Sequence, residues 1–257
     1  MSKLKIEFGL IGKSLSHSFS RDYHNSRFQR EGIDAQYSNF ELKAVSDFKD
    51  LIASRPGLIG LNVTIPYKES IIPFLDAVSP EVMETGAVNT ILVKADSLVG
   101  FNTDVFGFAE SLSNWIDGDI KSALVLGTGG ASKAVAKVLS DMHIEHLCVS
   151  RTAGDKKITY NDITTELMQG HNLIINTTPL GMHPDIEQMP QIPYYSITPN
   201  HWVFDLVYNP EKTIFLSKSE RRGAQIKNGL QMLHLQADES WTIWKTYLEQ
   251  EHGKAFD

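Results

Sequence analysis

The sequence has a single cysteine in 257 residues, Cys148. That excludes an internal disulfide and any zinc site built on cysteines, and no metal is expected. A reducing compartment, the cytoplasm, is the natural location for such a chain. Long apolar runs are missing too: none approaches the roughly 20 residues that a membrane helix needs. Cations are the minority, 24 against 31 acidic residues, giving a formal net charge of −7. A broad nucleic-acid surface is therefore not expected, although an anionic small molecule remains possible where a few cations gather. The stretch "MSKLKIEFGLIG" has two lysines and only a short alternating apolar run, and does not read as a signal peptide. No repeat and no low-complexity segment is present. What remains is globular in character: 42% hydrophobic and 21% charged residues, with enough length for one large domain or two ordinary ones.

Strand-like and helix-like patterns alternate along the first hundred residues. "KIEFGLIG" (5–12), "AQYSNFEL" (35–42) and "LIGLNVTI" (58–65) read as strands. Residues 20–32 read as a helix stopped at Gly32, and 44–57 as one closed by Pro56 and Gly57. "AVNTILVKADSLVGFN" (87–102) reads as a hairpin turning at Ala95-Asp96-Ser97. Such alternation predicts an α/β sheet, largely parallel, with helices on its faces. The strand at 58–65 puts Leu61, Val63 and Ile65 on one face and Asn62 and Thr64 on the other. Pro66 then ends the ladder, having no N–H to donate, and Lys68 follows. The polar face is either an ordinary surface edge or the wall of a polar pocket.

A second α/β region begins after an amphipathic helix at 105–115. "ALVLGTGGASKAVAKVL" has the order strand, glycine turn, helix. Gly127 and Gly129 permit a tight turn and close approach of a pyrophosphate, whose charge the following helix N-terminus would meet. Ser132 stands where the fingerprint's third glycine would be. The next strand, "HLCVS", ends in Ser150-Arg151-Thr152, with no carboxylate to hold a ribose 2′-OH. Arg151 instead offers a planar fork to a 2′-phosphate, which favours NADP over NAD. Lys156 and Lys157 nearby read more simply as a solvated basic loop. Two further apolar strands end in polar residues, Asn176-Thr177-Thr178 and Asp205, Tyr208, Asn209. Such strand ends are where open α/β sheets bind ligands. A long C-terminal helix, 229–250, carries Leu230, Leu233, Ala237, Trp241 and Trp244 near one stripe. Periodicity does not say which lobe it packs on.

Taken together and in order, these segments resemble the shikimate dehydrogenase family over nearly the whole chain. "GKSLSHSFSRDYHN" resembles the family's Ser-x-Ser substrate loop, and "NVTIPYK" its Asn-Val-Thr motif. "GAVNT", "FNTD", "GTGGASKAV", "SRT", "NTTPLGM", "DLVYNP" and "GLQMLHLQA" follow. The resemblance implies an α/β fold of two domains. The first is an N-terminal α/β substrate domain over 1–104, completed by a C-terminal helix (229–257) that returns to it. The second is a Rossmann-like NADP domain over 105–228. It implies an oxidoreductase that reversibly reduces 3-dehydroshikimate to shikimate with NADPH, in aromatic amino-acid biosynthesis.

Carried over residue by residue, the family's roles fall as follows. Lys68 and Asp104 form the catalytic pair, in which an ammonium stabilises the developing alkoxide and delivers a proton. Ser18 and Ser20 bind the substrate carboxylate, and Asn62, Thr64, Asn89, Asp104, Tyr208 and Gln236 hold its carboxylate or hydroxyls. Gly127, Thr128, Gly129, Gly130 and Ala131 form the cofactor turn. Ser150, Arg151 and Thr152 form the 2′-phosphate loop, and Leu206 and Gly229 lie near the nicotinamide. Without its surroundings Lys68 would read as a surface lysine. His17 reads as a packing or capping residue and Cys148 as a buried strand residue. The resemblance implies a monomer or homodimer with a small-molecule substrate and no nucleic-acid or membrane partner. Two alternatives stay open: a quinate/shikimate dehydrogenase with broader substrate or NAD use, and a non-catalytic regulatory homologue that binds shikimate-like ligands.

Overall fold

A computed structural model describes residues 5–15, 19–154 and 157–252. The chain divides into two compact units, Met1–Thr103 with Ala237–Asp257, and Asp104–Gln236. The first contains β1 (Ile6–Gly12), α1 (Phe19–Glu31), β2 (Ala35–Glu41), α2 (Phe48–Ala53), β3 (Leu58–Val63), β4 (Ala77–Val78), α3 (Pro80–Thr85), β5 (Thr90–Val93) and β6 (Leu98–Phe101). Its sheet has the order β2-β1-β3-β5-β6-β4. The β1, β2 and β3 ladders are parallel, while β5 turns back antiparallel to β3 and forms a hairpin with β6. The hairpin closes with Lys94 N–H donating to Ser97 O at 2.9 Å.

The second unit opens with α4 (Thr103–Ser113), β7 (Ser122–Leu126), α5 (Gly130–Asp141), β8 (Glu145–Ser150) and β9 (Lys157–Thr159). It continues with α6 (Thr165–Gly170), β10 (Leu173–Asn176), β11 (Trp202–Asp205), α7 (Ile214–Glu220), β12 (Gln225–Asn228) and the start of α8 (Leu230–His252). The division of the chain falls inside α8, after Gln236. All six strands of this sheet are parallel, in the order β12-β11-β10-β7-β8-β9.

Both sheets, the mixed one and the parallel one, bury apolar side chains on both faces. In the first, Ile11, Leu61, Val63 and Ile91 pack with Phe48 of α2 on one side. Phe8, Leu10 and Leu92 pack with Phe28 of α1 and Trp241 and Trp244 of α8 on the other. In β7, successive residues alternate between cores. Ala123 and Val125 join Phe108 and Val138, whereas Leu124 and Leu126 join Met168 and Phe215.

Three expectations from the sequence need correction. The strand predicted to run to Ile65 ends at Val63, and Ile65 is 70% exposed. Thr64 N–H still bonds Ile11 O at 2.9 Å, but the chain then turns, with Tyr67 N–H donating to Thr64 O. The helix predicted over 44–57 is α-helical only at Phe48–Ala53, after a short 3-10 turn at Val45–Asp47. There the Asp47 carboxylate accepts the Ala44 N–H at 3.1 Å. Leu230, placed on the apolar stripe of α8, is exposed at the helix start, and Met232 is buried in its stead. Among the described residues, no helix is long and apolar enough to cross a membrane.

Candidate active site

The first unit carries a buried polar network behind the end of β3. Asn62 lies next to the last residue of that strand and is 6% exposed. Its Oδ1 accepts the Tyr37 hydroxyl at 2.7 Å. Its Nδ2 donates toward Asn89 O, Thr90 Oγ1 and Ser240 Oγ at 3.2, 3.1 and 3.0 Å. Asn89 in turn accepts the Thr103 N–H on Oδ1 at 2.7 Å and donates Nδ2 to Thr103 Oγ1 at 2.9 Å. Buried amides and hydroxyls that are all paired make a rigid backing for whatever faces them. Tyr37 also pairs with the Ser20 hydroxyl, while burial pushes its phenol well above its ordinary range. Ser20, Asn62 and Asn89, widely spaced in the sequence, are thereby brought into one connected set.

Thr64 and Lys68 follow β3 in the same unit. Thr64 is half-buried, and Lys68 is half-buried in the turn whose backbone carbonyl accepts the Val88 N–H at 2.7 Å. Ser18, with His17, lies outside the described residues. Asp104 belongs to the second unit, buried at 7% exposure in the first turn of α4, where a helix N-terminus favours a carboxylate. Tyr208, with its hydroxyl pKa raised by burial, and Gln236, which donates to Leu233 O at 2.9 Å, belong to the second unit as well.

The glycine turn sits at the C-terminal end of β7. Gly127 has φ of 118°, a conformation that L side chains avoid. A Cβ there would also meet Thr177 Oγ1 at 2.5 Å. Gly129 is different: its φ is −84°, and a Cβ would meet nothing within 4 Å. Neither backbone nor packing calls for glycine at 129, so what its missing side chain leaves open is the approach to the N-terminus of α5. Thr128 is exposed, and Gly130 and Ala131 begin the helix half-buried. Ser132, in place of a third glycine, is buried and donates Oγ to Gly129 O at 2.6 Å. Arg151 projects exposed just beyond β8, with Ser150 Oγ accepting the Thr152 N–H at 3.4 Å. Lys156 lies outside the described residues; Lys157 is exposed at the start of β9.

On the other side of the turn, the ends of β10 and β11 are tied together. Asn176 and Asp205 are register partners, both fully buried. Asn176 Nδ2 donates to Asp205 Oδ1 at 2.9 Å. Burial pushes the Asp205 carboxyl up to about 6, opposed by bonds from Thr213, Val207 and Asn176. Next to it, Leu206 and Gly229 come together: a Cβ on Gly229 would meet Leu206 O at 2.1 Å. The sequence pattern assigns no role to Tyr37, Ser240 or Thr213, and marks Asp205 only as a polar strand end. The available signal was a hydroxyl or carboxylate inside an otherwise apolar pattern, such as Ser240 between Ala237 and Trp241. Among the described residues, no cluster of three or more His, Cys, Asp or Glu could hold a metal.

Numbered outward from β7, the parallel sheet reads 3-2-1-4-5-6, with β9, β8, β7, β10, β11 and β12 in those places. That order, with a glycine turn where it reverses, defines a dinucleotide-binding α/β domain. Residues 10–91 match the shikimate dehydrogenase substrate binding domain. Over 252 residues the chain is 37% identical to the NADP(+) shikimate dehydrogenase of Caldicellulosiruptor saccharolyticus, covering 91% of this chain and 90% of that protein. The shikimate 5-dehydrogenase of Thermus thermophilus, solved with NADP(H) and shikimate, superposes with a TM-score of 0.84. It is 31% identical, with 94% of each chain covered. A quinate dehydrogenase of Corynebacterium glutamicum, solved with NAD, reaches 0.85 at 26% identity, again with 94% of each chain covered. The chain belongs to the shikimate dehydrogenase family.

Proposed function

We propose that this protein is an NADP-dependent oxidoreductase that interconverts 3-dehydroshikimate and shikimate, a step of aromatic amino-acid biosynthesis. The observation that carries the reading is the full-length likeness to NADP(+) shikimate dehydrogenases, over nine-tenths of both chains. The residues present fit the cofactor: the open space at Gly129, the N-terminus of α5 and the cation of Arg151 suit a dinucleotide with a 2′-phosphate. NADPH, when bound, supplies the hydride. The chain's own residues handle charge and protons. Lys68 stabilises the negative charge that develops on the ketone oxygen and gives that oxygen its proton. Asp104 orients the ammonium and accepts from a substrate hydroxyl. Ser18, Ser20, Thr64, Asn89, Tyr208 and Gln236 pair the substrate's carboxylate and hydroxyls, since each unpaired group would cost about 1–3 kcal/mol. Asn62 joins them from within the buried amide network that it shares with Asn89. Thr128, Gly130, Ala131, Ser150 and Thr152 complete the cofactor cradle with Gly127 and Arg151, and Leu206 and Gly229 lie toward the nicotinamide. A cytoplasmic location and a monomeric or homodimeric state complete the proposal.

The test is the initial rate of nicotinamide reduction with shikimate and NADP, run beside NAD and beside quinate. Fast turnover with shikimate and NADP, and slow turnover in the other arms, is expected. Preference for NAD or quinate would instead make this a quinate/shikimate dehydrogenase. Binding without turnover in any arm would make it a regulatory homologue.

A further inference from the structure

The functional reading has no use for one buried carboxylate. Asp205 is fully buried at the C-terminal end of β11. Its Oδ1 accepts from Asn176 Nδ2 at 2.9 Å and from Val207 N–H at 3.0 Å, and its Oδ2 accepts from Thr213 Oγ1 at 2.6 Å. Each of these partners begins or closes a different piece of chain. Asn176 ends β10, and its Oδ1 accepts both Thr178 N–H at 3.0 Å and Thr178 Oγ1 at 2.6 Å, which shapes the loop after that strand. Val207 belongs to the loop after β11. Thr213 is the N-cap of α7, where its Oγ1 accepts the Leu216 N–H. One carboxylate thus holds two loops and a helix start.

Those two loops occupy a particular half of the ligand crevice. In a sheet of order 3-2-1-4-5-6, one mononucleotide half lies over the strands before the reversal and the other over the strands after it. Arg151 follows β8, on the adenosine side. The loops after β10 and β11 form the opposite side. Thr177, next to Asn176, also abuts the cofactor turn, since its Oγ1 donates to Leu126 O at 2.8 Å and blocks a side chain at Gly127. On the other flank, Leu206 O presses on Gly229, whose N–H donates to Val207 O at 3.3 Å.

We propose that Asp205 is a positioning residue that sets the nicotinamide-side wall of the crevice by clamping the loops after β10 and β11 to each other and to the start of α7. The inference rests on the dinucleotide reading above. All of its partners donate, so the role needs acceptor oxygens in two directions. A carboxamide would keep one oxygen toward Asn176 and Val207 and turn its NH₂ toward Thr213 Oγ1, which can accept. Alanine would leave the Val207 N–H and the Thr213 hydroxyl unpaired and Asn176 Nδ2 with only Leu180 O at 3.5 Å.

The test compares two ligands on the full chain by calorimetry: NADP, which spans both halves, and 2′,5′-ADP, which reaches only the adenosine half. For Asp205→Ala, NADP affinity should fall about 10-fold or more, as for losing hydrogen bonds to a charged group, while 2′,5′-ADP stays within about 2-fold. Asp205→Asn should recover most of the loss. If both ligands weaken equally, or Asp205→Ala binds NADP like the parent, the proposal is overturned. Should Asp205→Ala not fold, Asn176→Ala, which cuts the link to β10 together with the Thr178 bonds of the same loop, should show the same selective loss; an equal or absent loss there is equally fatal. A parent that binds neither ligand would sink the dinucleotide reading itself, which separates the two failures.

Discussion

The Tyr37 hydroxyl donates to Asn62 Oδ1 at 2.7 Å, in a site where both residues are buried. The same hydroxyl pairs with Ser20, so one phenol links the start of α1 to the end of β3. Tyr37→Phe leaves the Asn62 oxygen without its donor and Ser20 without its partner. The expected loss is about 1–3 kcal/mol of stability, the usual penalty for an orphaned buried group. If the network backs the substrate pocket, KM for shikimate should rise several-fold with little change in kcat. Denaturant unfolding and steady-state kinetics on the same variant check both halves. Lower stability with an unmoved KM would reduce Tyr37 to a core residue.

Much of this arrangement was legible in the sequence, and the parts that were not have a common cause. Strands β1, β3, β7 and β10 are apolar runs bounded by turn residues, so their existence was readable. The glycine turn was readable because its order, strand then glycine then helix, is local. β4 spans two residues and β9 three, too short to show a period. Alternation puts Asn62 on the polar face of β3, but it does not say what covers that face. Tyr37 and Ser240, which take up its amide, lie 25 and 178 residues away. Asp205 was visible as a polar strand end. That it clamps two loops depends on the register between β10 and β11, which no single-strand pattern contains.

Lys68 stands half-buried in the turn after β3. In the role proposed for it, Lys68→Ala should lower kcat by about 10²- to 10⁴-fold, the range for losing a positioned proton donor. Shikimate affinity, measured by calorimetry without turnover, should change much less. Near-normal turnover in a folded variant would remove Lys68 from the mechanism.

Gly129 offers a cleaner probe of the cofactor cradle than Gly127. Its backbone suits any residue, and a Cβ would meet nothing within 4 Å. Threonine is also a good N-cap for α5. Gly129→Thr should therefore keep the melting temperature of the parent. Its side chain would stand where a pyrophosphate must approach, and crowding of that kind costs about 1–3 kcal/mol. NADP binding should weaken by roughly 5- to 150-fold. Unchanged affinity would show that the dinucleotide does not cross this turn.

Arg151 is exposed beyond β8 and faces solvent with its charge. Contact with a 2′-phosphate is worth about 1.5–3 kcal/mol. Arg151→Ala should then raise KM for NADP by roughly 10- to 150-fold and leave KM for NAD nearly unchanged. Added salt should weaken NADP more than NAD in the parent, because an exposed ionic contact is screened. Lys157, close by in sequence, is the residue to remove next if the single variant retains part of the preference. An enzyme whose NADP preference survives both substitutions would refute the assignment of this loop.

His24 makes the stability of the first unit depend on acid. Its ring is fully buried and stacks on Tyr37 at 4.7 Å between centroids. Neither ring nitrogen has a hydrogen-bond partner among the described residues. Burial, helped by the nearby Arg27 charge, pushes its pKa down to about 3 from 6.5, with Asp238 opposing. The folded protein therefore keeps His24 neutral, while the unfolded chain takes up a proton below pH 6.5. Between those two values the unfolded state binds more protons, so stability rises with pH and is lost as pH falls, by about 1.4 kcal/mol per unit. His24→Phe keeps an aromatic ring in the stack and removes both the unpaired nitrogens and the titration. At pH 7.5 the variant should be as stable as the parent or slightly more so. At pH 5 its advantage should grow by about 2 kcal/mol, one and a half pH units into the window. Unfolding of parent and variant, followed by tryptophan fluorescence at both pH values, measures this difference directly. An advantage that is the same at pH 7.5 and pH 5 would mean that the folded protein protonates His24 as readily as the unfolded chain does.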